Sequence, residues 1–228
     1  MTNKDFIPKY SNKKIDKNTL TFTLSGDEKY GLDKSIVNGI RRTLLTDIQS
    51  VAFDPDNIKI IKNTGSLHNE FLKHRISLIP LYIDPETYNY SLLFELKVEM
   101  NDDTTMNVYN GDFNVYPLKN EYLEKLESGD EPTIEMLKNI DKNYYNLNNP
   151  LSNSKKKEIF RPFRFGNIDN YMLITELKDT GSEDDKQTIE LYAVPNIGTT
   201  RVHSRHNNLP TVVYTFTRYL YSKEIFYI

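Results

Sequence analysis

From residue 19 to 24 threonine alternates with leucine and phenylalanine (TLTFTL), the pattern of a strand with one face buried. A polar turn follows at 25–30. Ile36, Val37, Ile40, Leu44, Leu45 and Ile48 then recur at helical spacing. They predict an amphipathic helix over 33–49, with Gly39 inside it and Asp33 as an acid in its first turn. Residues 51–53 and 57–61 read as two short strands around Asp54–Pro55, and 67–76 as a second, shorter helix stopped by Pro80. The middle has another texture. Strands are predicted at 92–100, 106–109 and 113–116, with a polar turn at 101–103. Residues 119–158 are rich in Asn, Lys, Asp and Glu. Within them 132–140 reads as a short helix and 146–157 as a mobile surface loop. Strands resume at 171–177 and 189–194, joined by a charged hairpin connection at 181–186. The β-branched and aromatic run TVVYTFT at 211–217 is a last strand.

Charge sharpens this division. Residues 1–82 carry 13 Lys/Arg and 9 Asp/Glu, residues 83–196 carry 12 and 22, and residues 197–228 carry 4 and 1. An acidic middle is bracketed by basic ends, so the ends read either as merely solvated surface or as one module with the middle inserted into it. The chain is long enough for a substantial core and has no apolar run near the 18 residues a membrane-spanning helix needs. Residues 1–16 lack the apolar stretch of a secretory signal. With no cysteine in the 228 residues, a disulfide framework, a thiolate zinc site and a thiol nucleophile are all excluded.

Candidate chemistry is sparse. His68, Glu70 and His74 are clustered, but the histidines are six apart and fall on opposing sides of a helix, so no metal is expected there. His203 and His206 have no carboxylate nearby in sequence. Asp102–Asp103 and Asp184–Asp185 lie in turn-like segments and read as solvated acids. There is no Walker loop, dinucleotide fingerprint or nucleophile elbow. No catalytic residue, cofactor or metal ligand is assigned. What stands out is the first helix, which sets Asn38, Arg41 and Arg42 among its apolar positions. Planar guanidinium groups on such a helix suit docking against carboxylates and carbonyls of a larger partner.

These residues carry a resemblance. Residues 38–45, NGIRRTLL, resemble the N-x-[LI]-R-R-x-[LM]-L helix of the assembly subunit of multisubunit DNA-directed RNA polymerases. That family comprises the bacterial alpha subunit N-terminal domain, the archaeal D subunit and the third-largest subunit of eukaryotic polymerase II. VAFD at 51–54 is similar to its V-A-[IF]-[DE] strand. NTGSLHNEFLKHRISLIPL at 63–81 is similar to its N-T-[ST]-x-L-x-[DN]-E-F-[IL]-x-H-R-[IL]-x-L-I-P-L run, closest to the eukaryotic and archaeal branch. The likeness returns at 92–113, where NGDF stands for the usual Ser and Asp-Leu, and at 171–205 in MLITEL, TIELYAV and NIGTTRVHSR. There Ser204 replaces an Ala after the matched His203.

The resemblance implies an α+β fold in which a dimerisation domain, two helices on a small sheet formed by 1–82 and 197–228, is interrupted by an inserted β-rich domain at 83–196. It implies a non-catalytic scaffold in DNA-templated transcription. The chain would heterodimerise with a smaller homologous subunit and then dock the second-largest and largest polymerase subunits. By match, Asn38, Arg41 and Arg42 face the large subunits. Leu44, Leu45 and Ile48 face the dimer partner or the domain's own sheet. Glu70, Phe71, His74 and Arg75 hold the second helix and its subunit contacts. Neither a membrane nor sequence-specific nucleic acid is an expected partner, because the insert is acidic and lacks aromatic–basic interleaving. Two departures stand out. The clustered Cys that hold a metal or iron–sulfur site in many family inserts are missing. The family's chain also runs on after the final strand into a long C-terminal helix, whereas this sequence stops after the aromatic run 219–228, so the expected helix is short, the chain is a fragment, or another polypeptide supplies it. The Asn-, Lys-, Tyr- and Ile-rich composition suits an AT-rich genome, as in large DNA viruses, some of which fuse this subunit to its partner. Cytoplasm or nucleus, and for a viral chain the virion, is the expected location. Two other readings stay open: a stand-alone interaction module with this fold, and a hydrolase using His203 or His206.

Overall fold

The computed structural model describes residues 8–16, 19–26, 31–101, 104–181, 186–207, 209, 211–217 and 223–227. The first half runs β1 (Lys9–Asp16), β2 (Thr19–Ser25), α1 (Lys34–Thr46), β3 (Gln49–Asn63), α2 (Asn69–Ser77), β4 (Leu92–Glu99), β5 (Thr105–Tyr109) and β6 (Asn114–Pro117). The second runs α3 (Asn120–Ser128), α4 (Ile134–Lys138), α5 (Asn153–Ile159), β7 (Phe163–Phe165), β8 (Ile168–Asn170), β9 (Leu173–Lys178), β10 (Thr188–Thr199), β11 (Val213–Thr217) and β12 (Lys223–Tyr227). The result is a mixed α+β chain dominated by strand. It divides into two compact units, 1–49 with 199–228, and 50–198. The divisions fall at 49/50 and 198/199 because Val51, Phe53 and Ile58 of β3 and Leu72 and Ile76 of α2 lie in the core of the central unit.

In the terminal unit the strands form one antiparallel sheet in the order β1-β2-β12-β11. The strand read at 19–24 is β2. Phe22 and Leu24 are buried with Leu32 and with Val37 of α1, and Leu20, Ile40 and Tyr214 pack around them. The helix read over 33–49 is shorter than its apolar pattern. Asp33 is its N-cap, accepting from the Ser35 N–H at 2.6 Å, and hydrogen bonding to the Ser35 side chain first and to this N–H second lowers its pKa. The helix stops at Thr46, where the Asp47 N–H donates to the Thr43 carbonyl. Ile48 therefore lies beyond it. Of the turn read at 25–30, residues 27–30 lie outside the described residues. Of the C-terminal run 219–228, the described residues 223–227 form the strand β12.

The central unit is built on a second four-stranded sheet in the order β3-β10-β4-β6. In place of the two short strands expected around Asp54–Pro55 there is one continuous 15-residue strand. β3 is an edge strand of its sheet, the position at which a sheet tolerates a proline. The hairpin read between 171–177 and 189–194 is also not formed. β9 pairs with β5 in a two-stranded sheet, whereas β10 pairs with β4. Residues 182–185 of that connection, and 102–103 of the polar turn, lie outside the described residues. The core is aromatic. Phe53 meets Phe94 edge-on at 5.0 Å, and Phe113 stacks on both Phe53 and Phe160 with centroids 5.7 Å apart. All four rings are essentially inaccessible.

Residues 119–158 differ most from the sequence reading. The segment holds α3, α4 and α5, and it is strapped to β6. The Asn146 and Leu151 N–H groups donate to the Pro117 and Val115 carbonyls, and Leu118 bridges Tyr145. Lys156 Nζ donates to the Phe113 carbonyl at 2.9 Å. The surplus of polar residues hides apolar anchors, Leu137, Ile140 and Tyr145, all buried.

Three strands of the sheet share one carboxylate. Tyr116 on β6 and Tyr192 on β10 each donate a hydroxyl to Glu95 on β4 at 2.6 Å, one to each oxygen. Burial, then the bond to Glu95, pushes the Tyr116 phenol up to about 12 and raises Tyr192 as well.

Two outcomes are expected. Phe113→Ala removes the ring that joins the stack and costs about 3–5 kcal/mol of stability, measured by urea unfolding. An unfolded tyrosine ionises near pH 10. Between there and about 12 the folded chain therefore holds a proton at Tyr116 that the unfolded chain has lost. Stability is intact below pH 10 and falls as pH rises through this window. Urea midpoints at pH 9, 10 and 11 are expected to decline, and Tyr116→Phe to lower the pH 9 midpoint while flattening that decline.

Candidate subunit-docking surfaces

The stripe on α1 is only half covered. At roughly 100° per residue, Val37, Ile40, Arg41 and Leu44 share one face, with Leu45 beside it. Val37 is fully buried, and Ile40, Leu44 and Leu45 are partly buried. Ile36 and Ile48 are 37% and 39% exposed. A Cβ built on Gly39 would meet nothing within 4 Å, so packing inside this unit does not require glycine there. Arg41 Nε donates to Asn38 Oδ1 at 3.1 Å, which fixes the guanidinium along the helix. Arg42 is exposed and has no ion-pair partner among the described residues. The C-terminal end of α1 is pinned separately. Arg201 Nη2 contacts both Asp47 carboxylate oxygens, at 2.8 and 2.9 Å, and the Arg201 N–H donates to the Thr46 carbonyl at 3.1 Å.

In the central unit α2 turns Leu72 and Ile76 into the core. Phe71, His74, Arg75 and Leu78, spaced i, i+3, i+4 and i+7, are all exposed, Phe71 at 68% and Leu78 at 60%. Glu70 is also exposed. Its backbone N–H donates to His68 Nδ1 at 3.4 Å, so His68 caps the helix. Arg75 Nη2 donates to the Leu173 carbonyl at 3.1 Å. The Tyr82 N–H donates to the Ile159 carbonyl, and the Arg161 guanidinium lies 4.4 Å from the Tyr82 ring centre. Leu78, Tyr82, Arg161 and Leu173 thus lie near the candidate residues of α2, although the sequence reading did not name them. The helical spacing from Phe71 to Leu78 was the available signal for the first of them.

The candidates therefore fall into two groups. Asn38, Arg41, Arg42, Leu44, Leu45 and Ile48 belong to the terminal unit, and Glu70, Phe71, His74 and Arg75 to the central one. Both sets are mixed, apolar and cationic, with the composition of interface anchors. The remaining histidines have structural positions. His203 Nδ1 accepts from the Arg205 N–H at 3.1 Å, and His206 is buried. Among the described residues no three His, Asp or Glu are grouped to hold a metal ion, and no helix is long and apolar enough to cross a membrane.

No protein-family model matches the chain. Individual relatives do. The DNA-directed RNA polymerases I and III subunit rpac1 of Dictyostelium discoideum is 33% identical over 88 residues, 34% of this chain and 25% of that protein. The human RPAC1 is 33% identical over 76 residues, 33% of this chain and 20% of its own length. Subunit Rpo3 of the DNA-directed RNA polymerase of Pyrobaculum aerophilum is 37% identical over 51 residues, 22% of this chain and 19% of its own. The similarity thus spans a quarter or less of these relatives. Within that span, this chain is a homologue of RPAC1 and Rpo3, the alpha-like subunits of eukaryotic and archaeal RNA polymerases.

Proposed function

We propose that this chain is an assembly subunit of a DNA-directed RNA polymerase, working without an active site of its own. The α1 stripe is covered by a smaller homologous subunit, and the pair docks the second-largest and then the largest catalytic subunit. In this reading the terminal unit carries the dimerisation surface and the central unit is the insertion. The observation that carries it is the α1 stripe itself, which Val37 and Ile40 start against the sheet and Leu44, Leu45 and Ile48 continue partly exposed. Burying a fully exposed Leu or Ile is worth roughly 1.5–3 kcal/mol, and these half-covered side chains gain correspondingly less each. Several together, with an open Gly39 that admits close backbone approach, give a helix pair a sufficient driving force. The names of the polymerase-subunit relatives support the same assignment.

The division of labour gives two separable variants. Leu44→Asp with Leu45→Asp places carboxylates on the stripe. The expected result is a folded chain, by circular dichroism, that no longer co-purifies with a co-expressed smaller homologue. Arg41→Ala with Arg42→Ala is expected to leave folding and the heterodimer intact while reducing capture of the second-largest subunit at least tenfold. Quantitative mass spectrometry of the purified polymerase reads both, and full retention of the double arginine variant contradicts the assignment of those residues.

A further inference from the structure

The segment 155–165 stands apart from the acidic middle around it. Residues 155–164 hold five Lys/Arg and one Glu, although residues 83–196 hold 12 and 22. The run Arg161-Pro-Phe-Arg-Phe165 also interleaves basic and aromatic residues, a feature the sequence reading passed over. It leads into a two-stranded ribbon in which β7 and β8 pair Phe163 with Asn170, Arg164 with Asp169 and Phe165 with Ile168. Gly166 makes the tight turn with φ +64°. Alternation along the strands puts Phe163, Phe165, Ile168 and Asn170 on one face. Phe163 is 64%, Phe165 84% and Ile168 66% exposed. On the other face Asp169 is shared by Lys157 at 2.9 Å and Arg164 at 3.1 Å, which lowers its pKa. One carboxylate between two cations leaves positive charge over, and Lys155 and Arg161 are exposed as well.

We propose that this ribbon binds single-stranded RNA, with bases stacking on Phe163 and Phe165 and phosphates held by Arg161, Arg164 and Lys157. Three features favour this ligand over an acidic protein segment. Residues two apart on a strand are separated by roughly 6.6 Å, about twice the 3.4 Å rise between stacked bases, so one base fits between the two rings. Strands in a sheet are roughly 5 Å apart, so a ribbon of two leaves the cations on its back and at its base within a side chain's reach of a backbone laid over its front. Asn170 shares the phenyl face, and its amide both donates and accepts, matching a ribose 2′-hydroxyl. The acidic remainder of the segment repels a polyanion and confines it to this ribbon. Recognition of this kind carries no sequence preference.

Fluorescence anisotropy of the purified full chain with fluorescein-labelled U20, dT20 and a 20-base-pair RNA duplex tests it. U20 is expected to bind at micromolar concentration, more tightly than dT20 or duplex. The slope of log affinity against log salt is expected to be roughly −2, as for three phosphate contacts. Phe163→Leu with Phe165→Leu keeps the face apolar but removes both stacking rings, and is expected to weaken U20 at least about 25-fold, fivefold for each ring. Phe165→Trp is expected to retain binding, as is Ile61→Ala, an exposed change on β3. Absence of U20 binding at 100 µM overturns the proposal. So does wild-type affinity in the double leucine variant, equal affinity for dT20 or duplex, or displacement of U20 by an equal concentration of deca-glutamate, which would mark the ribbon as a site for acidic peptide.

Discussion

A four-stranded sheet meets a helix along a narrow line, and α1 is more amphipathic than that line can satisfy. Val37 seats against Phe22 and Leu24, and Ile40 packs at the edge of the same cluster. One turn further on, Leu44 and Leu45 are still only partly buried. A 13-residue helix has little stability of its own in water, because the nucleation penalty is spread over few hydrogen bonds. It holds here because polar groups fix both ends. Asp33 caps the first turn, and Arg201 clamps Asp47 and the Thr46 carbonyl at the last. The apolar stripe is therefore not needed in full to keep the helix formed, and the uncovered part is available to another chain.

The central unit solves the opposite problem. Its sheet is capped by enough apolar volume to bury Phe53, Phe94, Phe113 and Phe160 completely, and the Glu95 carboxylate receives both tyrosine hydroxyls that reach it. Leu72 and Ile76 hold α2 to this core, which orients the other side of the helix outward. The exposure of Phe71 and Leu78 follows from the same 3.6-residue period that buries Leu72 and Ile76. Core and surface stripe are two consequences of one pattern, so the burial of Leu72 and Ile76 also fixes where the backbone presents Phe71 and Leu78.

Periodicity made some of this legible in the sequence. Strong alternation gave β2, β4 and β11, and apolar spacing gave α1 and α2 to within a few residues at each end. The misses have physical causes. Pro55 reads as a break, but an edge strand tolerates it. The segments 171–177 and 189–194 look like a hairpin because they are close in sequence, yet pairing is decided by which sheet each one's buried face belongs to. The short helix read at 132–140 is present as α4, but 146–157, read as a loop, holds most of α5, because its polar residues leave no apolar period to mark a helix. The candidate residues on α1 and α2 were named by motif. Leu173 was not, since its place beside Arg75 is set by a long-range hydrogen bond that no local pattern announces.

The ribbon β7–β8 has a different relation to the fold. A two-stranded hairpin is marginal alone, and this one presents its phenyl face to solvent, where burial contributes nothing to hold it. Its anchorage is polar and lateral: Asp169 ties both strands to each other through Arg164 and to α5 through Lys157. α5 in turn is tied to the core by the bond from Lys156 to the Phe113 carbonyl and by the burial of Ile159 and Phe160. Three consecutive helical residues thus divide the work. Lys156 reaches inward, Lys157 reaches the ribbon, and Lys155 remains in solvent. The phenyl rings take no part in this polar anchorage, so the ribbon is held from its back while its aromatic face stays open to a ligand.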